Sequence, residues 1–407
     1  MTKDLPVKPE LAFLVLQPTS SQLYCIPQHL VKDKRIAEDR KSSYRKEEIS
    51  YVIDLTNGRE FYVTQDLLEI HAIPDEMIRE YLVAFSVKGL RRPYRFAPRE
   101  PFVFHGNLLN PKTGMINLGG YCNSHCRFCY TRWLQDSPDM KTNEAKEIMN
   151  RLSRIESIDT LVLTGGEATI RTDLELLLGH AKHLGFSDIG LQTNGRALNS
   201  DYVQKLLKAG LSTVLISLHG TSEHVHDKIT GVPGSYKATL RAISNLFSAS
   251  VGVVVNTVIC RSNAHELNNM PNVLGDFVER GVTWRLSYPI LEGDAYVNRQ
   301  ELLIRFSKLN RYLVDTLPKA RRIGMKLQAG TMPLCISKRY ELHNTYTTNE
   351  LLSLIVVSPF YNHNIVRGEV SVKFRACSAC TTESLCRGIQ IEYLKMFPDA
   401  HKEFRPI

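Results

Sequence analysis

Six short apolar segments alternate with six longer amphipathic segments between residues 114 and 317, and this order constrains the fold more than any other feature of the chain. The apolar segments have the length of buried strands, and the amphipathic segments have the length of helices. Alternation at this spacing is typical of parallel βαβ units. We therefore expect an α/β fold with a partial (β/α)6, TIM-like barrel, and an open doubly wound sheet is the alternative with the same pattern. The predicted strands are 114–118, 160–164, 189–193, 212–217, 251–259 and 282–288.

The residues before the barrel have a different pattern. Residues 1–100 contain several strand-like runs and a helix-like segment at 74–90, so we predict a small, β-rich α+β domain that binds substrate or a leader peptide. Asn57-Gly58 lies between two of these runs and predicts a β-hairpin. The Pro- and Arg-rich segment 91–101 is typical of a linker.

The alternation also stops near residue 322, which gives the barrel domain the bounds 101–322. We assign residues 323–407 to a small Cys-rich C-terminal domain. Within it, residues 325–328 form a possible strand, and 351–358 with 369–374 predict a hairpin with a long loop.

Composition and charge restrict the partners. The chain has 51 Lys and Arg against 42 Asp and Glu, a net charge of +9, which favours anionic partners such as nucleic acid, a phosphorylated or acidic substrate, or an acidic leader peptide. No apolar run approaches the roughly 18 residues that a membrane helix needs. The first residues do not resemble a signal peptide. We therefore predict a cytoplasmic protein without a membrane partner.

Seven of the nine Cys residues fall in two regions, which in a long chain without a secretory signal indicates metal binding rather than disulfides. Cys122, Cys126 and Cys129 form a Cys-x3-Cys-x2-Cys motif directly after the first predicted strand. Three thiolates on one short loop suit a [4Fe–4S] cluster and leave one iron open, as in a catalytic metal site. Zinc is the alternative, with His125 as a further ligand.

The Cys-x3-Cys-x-aromatic-Cys pattern, with Phe128 as the aromatic residue, resembles the signature of the radical S-adenosylmethionine (radical SAM) superfamily. The resemblance implies that the open iron binds SAM and that one electron cleaves SAM to methionine and a 5′-deoxyadenosyl radical. This radical then abstracts a hydrogen atom from the substrate, while the protein supplies orientation and excludes side reactions. The resemblance also implies an external one-electron reductant of the flavodoxin or ferredoxin type.

Further motifs that resemble the family follow at the ends of the next strands. Thr164-Gly165-Gly166-Glu167 resembles the GGE motif, in which the glycines permit close backbone approach and the carboxylate accepts a hydrogen bond from the SAM ammonium. Gln192-Thr193-Asn194-Gly195 ends the third strand, and Ser217-Leu218-His219-Gly220 ends the fourth. The stretch from His226 to Tyr236 also resembles the family, although Thr230 stands where many peptide-modifying members have Arg. The implied SAM contacts are Phe128, Gly165, Gly166, Glu167, Thr193, Asn194, Ser217, His219 and Asn256, with Asn263 as a further candidate.

The second cysteine group, Cys377-x2-Cys380-x5-Cys386, resembles the core of SPASM and twitch domains, which carry auxiliary [4Fe–4S] clusters. A full SPASM domain has seven Cys residues and two clusters, and here Gln390 stands where a further Cys is expected. With Cys335 as the fourth ligand, we expect one auxiliary cluster on Cys335, Cys377, Cys380 and Cys386. A structural zinc site on the same four thiolates is the alternative.

An auxiliary cluster implies an electron acceptor for a substrate radical, or a group that positions the substrate. Peptide or protein maturation, such as an oxidative cross-link, is the first hypothesis. A small-molecule dehydrogenase or epimerase of the sugar or aminocyclitol type is the second. RNA modification is the third and rests on net charge alone. The sequence identifies no catalytic residue, and Tyr130, Arg285, Tyr288 and Asp294 are candidates by position only.

Overall fold

A computed structural model describes residues 112–131, 139–155, 157–291, 293–344, 371–381, 386 and 388–405, and the backbone of strands within 13–106 and 353–366. The predicted helix 74–90 and the predicted linker 91–101 lie outside the described residues. The strands are β1 Phe13–Thr19, β2 Gln22–Pro27, β3 Val31–Ile36, β4 Ile49–Leu55, β5 Glu60–Thr64, β6 Phe102–Gly106, β7 Thr113–Asn117, β8 Thr160–Thr164, β9 Asp188–Thr193, β10 Thr213–Ser217, β11 Gly252–Val258, β12 Thr283–Ser287, β13 Lys326–Ala329, β14 His343–Asn344, β15 Ser353–Val357, β16 Asn364–Val366, β17 Ser371–Val372 and β18 Ile389–Gln390.

The helices lie mainly between the strands of the barrel. They are α1 Thr142–Leu152, α2 Leu174–His183, α3 Ser200–Ala209, α4 Glu223–Thr230, α5 Ser235–Ser248, α6 Met270–Leu274, α7 Gly293–Val297, α8 Arg299–Leu302, α9 Phe306–Arg322, α10 Leu334–Arg339 and α11 Ile391–Met396. Short 3-10 helices cover Ala168–Ile170, Ala264–Asn269, Gly275–Phe277, Arg375–Ala379 and Ala400–Glu403. In the part of the chain that is described, no helix has the length and apolar character to cross a bilayer.

The six predicted barrel strands are present as β7 to β12, and they pair in parallel in chain order. The expected α/β partial barrel is therefore confirmed. The possible strand at 325–328 is β13, which pairs in parallel with β12 and extends the same sheet beyond residue 322. The short β14 pairs in turn with β13.

The N-terminal strands complete this sheet and form a second one. In the large sheet, β15 lies between β7 and β6, and β2 and β1 follow β6. The small sheet has the order β16-β5-β4-β3. Its strands β4 and β5, on either side of Asn57-Gly58, pair antiparallel as the hairpin prediction required.

The prediction of a hairpin between 351–358 and 369–374 was wrong. The first run forms β15, which pairs in parallel with β7 and antiparallel with β6. The second run contributes β17, which pairs with β18. The physical reason is that β7 would otherwise be an unpaired edge of a buried parallel sheet, and an apolar run with few charges suits that central position.

Two helix predictions also need correction. The predicted long helix 298–317 is interrupted and forms α8 and α9. The interruption is stabilised by Arg261, whose backbone N–H donates to the Leu302 carbonyl and whose guanidinium donates to the Leu303 carbonyl. Helix α4 was not predicted, although Ser222 caps it by accepting a bond from the Val225 N–H.

The strands present two different faces. On β8 and β10 every second residue is buried, including Leu161, Leu163, Val214 and Ile216. The intervening side chains are only partly buried, and strand alternation places them on the inner, concave face. The carboxyl ends of the strands meet at one rim, where chemistry is found in barrels of this kind.

A buried polar chain ties three central strands together behind the inner face. Trp284 on β12 is fully buried, and its Nε1–H donates to the Thr257 hydroxyl at 2.9 Å. That hydroxyl donates to the Leu218 carbonyl at 2.7 Å, just beyond β10. The Thr257 hydroxyl therefore satisfies one buried donor and one buried acceptor at the same time.

The substitution Thr257→Val tests this chain. We expect it to lower the free energy of unfolding by about 1–3 kcal/mol, because it leaves the Trp284 N–H and the Leu218 carbonyl unpaired in the core. The double variant Thr257→Val/Trp284→Phe also removes the Trp284 N–H that Thr257→Val leaves unpaired. Its loss of unfolding free energy should therefore be smaller than the sum of the two single losses. Urea unfolding followed by circular dichroism measures both. Additive losses would contradict the coupling.

Candidate active site

The loop that carries the first cysteine motif leaves β7 at the carboxyl rim. Cys122, Cys126 and Cys129 are partly buried. The loop turns tightly, since the Cys129 N–H donates to the Cys126 carbonyl at 3.0 Å. The Ser124 N–H donates to Cys122 Sγ at 3.4 Å, and such bonds favour a thiolate ligand. The three thiols of the motif thus lie on one short, compact loop.

The C-terminal turn of helix α4 makes backbone hydrogen bonds to the middle of this loop. The His125 N–H donates to the Thr230 carbonyl at 2.8 Å, and the Arg127 N–H donates to the Ile229 carbonyl at 3.0 Å. Gly231 follows the helix with φ +70°, and a Cβ there would lie 2.8 Å from the His125 carbonyl oxygen. The last turn of α4 and the cysteine loop therefore share backbone hydrogen bonds in a contact that only glycine permits.

The turn after α4 is fixed by Asp227. Its carboxylate accepts bonds from the Gly234 and Tyr236 N–H groups and from the Ser235 hydroxyl. These bonds hold the pKa of Asp227 below its usual value despite partial burial. The stretch from His226 to Tyr236, which the sequence offered only as a family likeness, is therefore a support for the cysteine loop. In the sequence, the glycines and the proline of this stretch indicate a turn after the helix.

The rim loop after β9 holds the other side of the cysteine loop. Asn194 Nδ2 donates to Asn123 Oδ1 at 2.7 Å and to Ser124 Oγ at 3.2 Å. The Arg196 guanidinium donates to the Asn123 carbonyl. Asn194 was predicted from its motif, whereas Asn123 and Arg196 were not, because nothing in their local pattern indicates a contact across the rim.

Glu167 is buried at the centre of this arrangement. Its Oε1 accepts bonds from the Thr169 N–H and hydroxyl and from the Thr193 hydroxyl, and its Oε2 accepts from the Asn194 N–H at 2.7 Å. Burial raises the pKa of Glu167, and the four donors oppose that shift. The carboxylate expected to meet the SAM ammonium is thus oriented by its own chain.

Gly166 of the Gly-Gly-Glu motif packs too closely against the cysteine loop to carry a side chain. A Cβ on Gly166 would lie 2.2 Å from the Tyr121 carbonyl oxygen and 2.4 Å from the Gly120 carbonyl oxygen. The Glu167 N–H also donates to the Tyr121 carbonyl at 2.9 Å. The close approach that Gly165-Gly166 permits is therefore to the start of the cysteine loop.

His219 packs behind the loop rather than at its surface. Its ring meets Phe128 edge to face at 4.6 Å between centroids. Its Nδ1 accepts from the Val258 N–H at 3.2 Å, and its own backbone N–H donates to His226 Nδ1 at 3.1 Å. Burial, followed by the neighbouring His226, holds the pKa of His219 well below its usual value, so the ring is neutral.

The remaining predicted SAM contacts lie along the inner face and behind it. Ser217 and Asn256 are paired neighbours on β10 and β11, and Asn256 Oδ1 accepts from the Ser287 hydroxyl at 2.7 Å. Asn263 is buried, and its amide donates to the carbonyls of His219 and Val258. Asn263 therefore has a structural role in this rim.

The positional candidates for catalysis fall in different environments. Tyr130 is 43% exposed next to the last cysteine of the loop. The Asp294 N–H donates to the Cys129 carbonyl at 2.9 Å, which ties α7 to the loop. Tyr288 is buried and donates to the Ile304 carbonyl at 2.7 Å, and burial raises its pKa well above the usual value. Arg285 lies on the inner face of β12 beside Gln328.

The second cysteine group draws on distant parts of the C-terminal segment. Cys335 lies on α10, and burial raises its pKa to about 11, followed by the charges of Cys386 and Cys377. The Phe374 N–H donates to Cys377 Sγ and the Gly388 N–H to Cys386 Sγ, both at 3.4 Å. The Cys380 N–H donates to the Cys377 carbonyl at 2.9 Å. Cys335, Cys377 and Cys386 are therefore electrostatic neighbours.

Gln390 fastens this group to the barrel. Its Nε2 donates to the Pro289 carbonyl at 3.1 Å, and its Oε1 accepts from the Leu291 N–H at 2.8 Å. The residue that departs from the SPASM pattern thus joins the tail to the segment after β12. Arg305 reinforces the contact through ion pairs with Glu403 at 2.7 Å and Asp399 at 3.1 Å.

The donor chemistry of both groups fits iron–sulfur clusters. Thiolates hold such clusters, and hydrogen bonds to their sulfurs tune them. Burial, and then the charges of Cys129 and Cys122, raise the pKa of Cys126. A bound cationic centre would offset the repulsion between these thiolates. Across the described residues, no three His, Cys, Asp or Glu side chains are grouped as a single metal ion requires.

Comparisons with known proteins agree with this chemistry. Residues 116–270 match the Radical SAM superfamily. A "Probable GTP 3',8-cyclase" of Saccharolobus solfataricus is 36% identical over 155 residues, which are 37% of this chain and 49% of that protein. An "AdoMet-dependent heme synthase" of Methanosarcina barkeri is 30% identical over 159 residues, 39% of this chain and 45% of that protein. The chain thus spans about half the length of the curated relatives it matches.

One solved structure is similar over most of the chain. It is Streptococcus suis SuiB bound to the precursor peptide SuiA, with a TM-score of 0.53 and 13% identity. The similarity covers 84% of this chain and 80% of that one. At this identity the likeness concerns the fold alone.

The contact between α4 and the cysteine loop makes a prediction with a matched control. Gly231→Ala and Gly234→Ala both place alanine at positive φ, at +70° and +77°, but only Gly231 has the loop within reach of the new Cβ. Both variants should lose roughly 1–2 kcal/mol of stability from backbone strain. Only Gly231→Ala should displace the loop and lower iron and sulfide content after anaerobic reconstitution. Equal iron content in the two variants would contradict the support role.

Buried His226 predicts a pH dependence of stability. Burial lowers its pKa to about 4, below the usual 6.5, so the unfolded chain binds a proton more readily than the folded one. Its contribution is present above pH 6.5 and is lost as pH falls from 6.5 towards 4, by about 3 kcal/mol in total. His226→Gln should flatten the stability profile in this range, whereas His224→Gln, at an exposed position, should not. Urea unfolding at successive pH values measures the slope, and parallel profiles for wild type and His226→Gln would refute the assignment.

Proposed function

Because residues 116–270 form a radical SAM domain, we propose that this SAM-dependent iron–sulfur enzyme carries out an oxidative modification of a peptide or protein. When bound, the cluster and SAM supply a 5′-deoxyadenosyl radical that takes a hydrogen atom from the substrate. The observation that carries the oxidative part is the set of cysteines in a tail that Gln390 joins to the barrel, where burial and then the charges of Cys386 and Cys377 raise the pKa of Cys335. A second cluster there provides an acceptor for the electron that a substrate radical must lose.

In this proposal, Cys122, Cys126 and Cys129 hold the catalytic cluster. Glu167 and Asn194 orient the rim on which SAM is bound, because their hydrogen bonds join the ends of β8 and β9 to the cysteine loop. The neutral ring of His219, packed against Phe128, fills the space behind the loop and excludes water from it.

Cys335, Cys377, Cys380 and Cys386 hold the auxiliary cluster with all four iron positions closed. The N–H groups of Phe374 and Gly388 donate to two of the sulfurs, which lowers their negative charge. Gln390 joins the tail to the segment after β12, so the cysteines that would hold a second cluster belong to a part of the chain in contact with the barrel. An external one-electron reductant of the flavodoxin or ferredoxin type would supply the catalytic cluster.

Two features support a peptide substrate. The SuiB structure that shares this fold contains a precursor peptide. Among the strands that the structure describes, β3 is an edge of the small sheet, and an extended peptide can add to such an edge as a further strand. The N-terminal unit at 1–100 is in this proposal the part that binds a leader segment.

A small-molecule substrate is the second candidate. The curated relatives named above include a probable GTP 3',8-cyclase, with identity confined to about half of that protein. The tail has fewer cysteines than a full SPASM domain, which has seven, and this also favours a small-molecule substrate. The two candidates differ in whether the N-terminal unit takes part in substrate binding, so a variant that lacks it distinguishes them.

Metal analysis with electron paramagnetic resonance tests the proposal. Anaerobically reconstituted wild type should hold about eight irons, and the triple Ala variant of Cys122, Cys126 and Cys129 about four, since each cluster contains four irons. The triple Ala variant of Cys377, Cys380 and Cys386 should also hold about four, but it should still cleave SAM under reducing conditions. Zinc in the tail would refute the oxidative part, and wild type without any cluster would refute the radical SAM chemistry.

A further inference from the structure

Among the described residues, one charged side chain on the inner face of the barrel has no charged partner. Arg285 lies on β12 and is partly buried. Its Nε and Nη2 donate to Gln328 Oε1 at 3.3 and 3.2 Å, and Gln328 is neutral. The ion pairs found among the described residues do not include Arg285. A buried cation is normally paired, because its burial without a counter-charge is costly.

The residues in register with Arg285 on the neighbouring strands are neutral polar residues rather than acids. Arg285 pairs in register with Asn256 on one side and with Gln328 on the other, and Asn256 pairs with Ser217. These four form one row across the inner face, and the row contains no Asp or Glu. Asn256 uses Oδ1 to accept from Ser287, and no acceptor for its Nδ2 or for the Ser217 hydroxyl is recorded among the described residues.

The guanidinium is also held in a defined orientation. Gln328 accepts from the side of the fork formed by Nε and Nη2, and within the described ranges no other side chain accepts from the end formed by the two Nη groups. That end presents two parallel N–H donors, the arrangement that binds a carboxylate or a phosphate with two hydrogen bonds. Burial lowers the pKa of Arg285 to about 10, which leaves it charged at neutral pH.

The row differs from the residues that support the cysteine loop. Glu167 follows β8 and Asn194 follows β9, whereas Arg285 is on β12, several strands further along the sheet. Strands lie about 4.8 Å apart, so four intervals from β8 to β12 amount to roughly 19 Å along the curved sheet. Ser217 and Asn256 are also expected SAM contacts, so an anion held by Arg285 would lie beside that part of the SAM site.

We propose that Arg285, oriented by Gln328 and assisted by Asn256, binds an anionic carboxylate or phosphate group of the substrate on the inner face of the barrel. This inference rests on the proposed function, because it assigns the substrate of that same site a negative charge. Arg285 is a binding residue in this scheme, and the ionic contact fixes which part of the substrate lies near the cysteine loop.

Calorimetric titration of the reconstituted enzyme with saturating SAM tests the assignment. The probes are inorganic pyrophosphate for a phosphate group and succinate for a carboxylate group, in a phosphate-free buffer of low ionic strength. We expect saturable binding of at least one probe, and the stronger probe identifies the anion class. Arg285→Gln should weaken that binding by about tenfold or more, as for loss of a charge-assisted hydrogen bond. Arg241→Gln, which removes an exposed arginine on α5, should leave it unchanged.

A second variant keeps the guanidinium of Arg285 but supplies it with a carboxylate partner from the protein itself. Gln328→Glu places a carboxylate beside Arg285, so it should also abolish probe binding. Absence of saturable binding in wild type, or equal binding in wild type and Arg285→Gln, would overturn the proposal. A tenfold loss of SAM affinity in Arg285→Gln would overturn it as well, since Arg285 would then bind the SAM carboxylate. Failure of wild type to cleave SAM would instead refute the proposed function.

Discussion

The buried carboxylate of Glu167 is the interaction on which the rim of this barrel depends. A carboxylate without water is stable only when hydrogen-bond donors surround it, and here the donors come from the 3-10 helix after β8 and from the end of β9. Because one group must satisfy donors from both places, the two strand ends have a single relative position. The cysteine loop then rests on these ends through backbone contacts at Gly166 and Tyr121.

Neutral and charged groups both hold the rest of the loop. Backbone bonds to α4, the amide of Asn194 and the uncharged ring of His219 surround it. Arg196 donates to a carbonyl of the loop, and Arg127, within the loop, forms an ion pair with Glu301 on α8. In the tail, N–H groups donate to the sulfurs of Cys377 and Cys386, and such bonds tune the potential of a cluster that the sulfurs bind.

Much of the fold follows from the sequence because parallel strands leave a strong pattern. Short apolar runs such as TLVLT and STVLIS between amphipathic segments predict buried strands, and each forms a strand of the barrel. The ordered motifs at strand ends likewise placed Glu167 and Asn194 at one rim. Local pattern failed where tertiary contact decides the outcome. β15 is a strand of the large sheet because β7 needs a neighbour, and nothing within 351–358 encodes that partner.

The same limit explains the site residues that the sequence did not indicate. Asn123 and Arg196 act through bonds across the rim, and each has an ordinary residue type for a loop. Gln390 was noticed only as a missing cysteine, whereas in the fold its side-chain amide joins two segments nearly a hundred residues apart. That Arg285 has only neutral register partners is visible only when the neighbouring strands are assembled.

The insertion of β15 beside β7 has a consequence for how the chain is made. A ribosome releases β7 early, but the strand that covers its outer edge lies beyond the whole barrel, and β6 waits for the same partner. Nearly all of the barrel is therefore synthesised while its first strand exposes an unpaired edge, the kind of surface that recruits other chains. We therefore expect this edge to be open to such contacts until residues 353–357 have been synthesised.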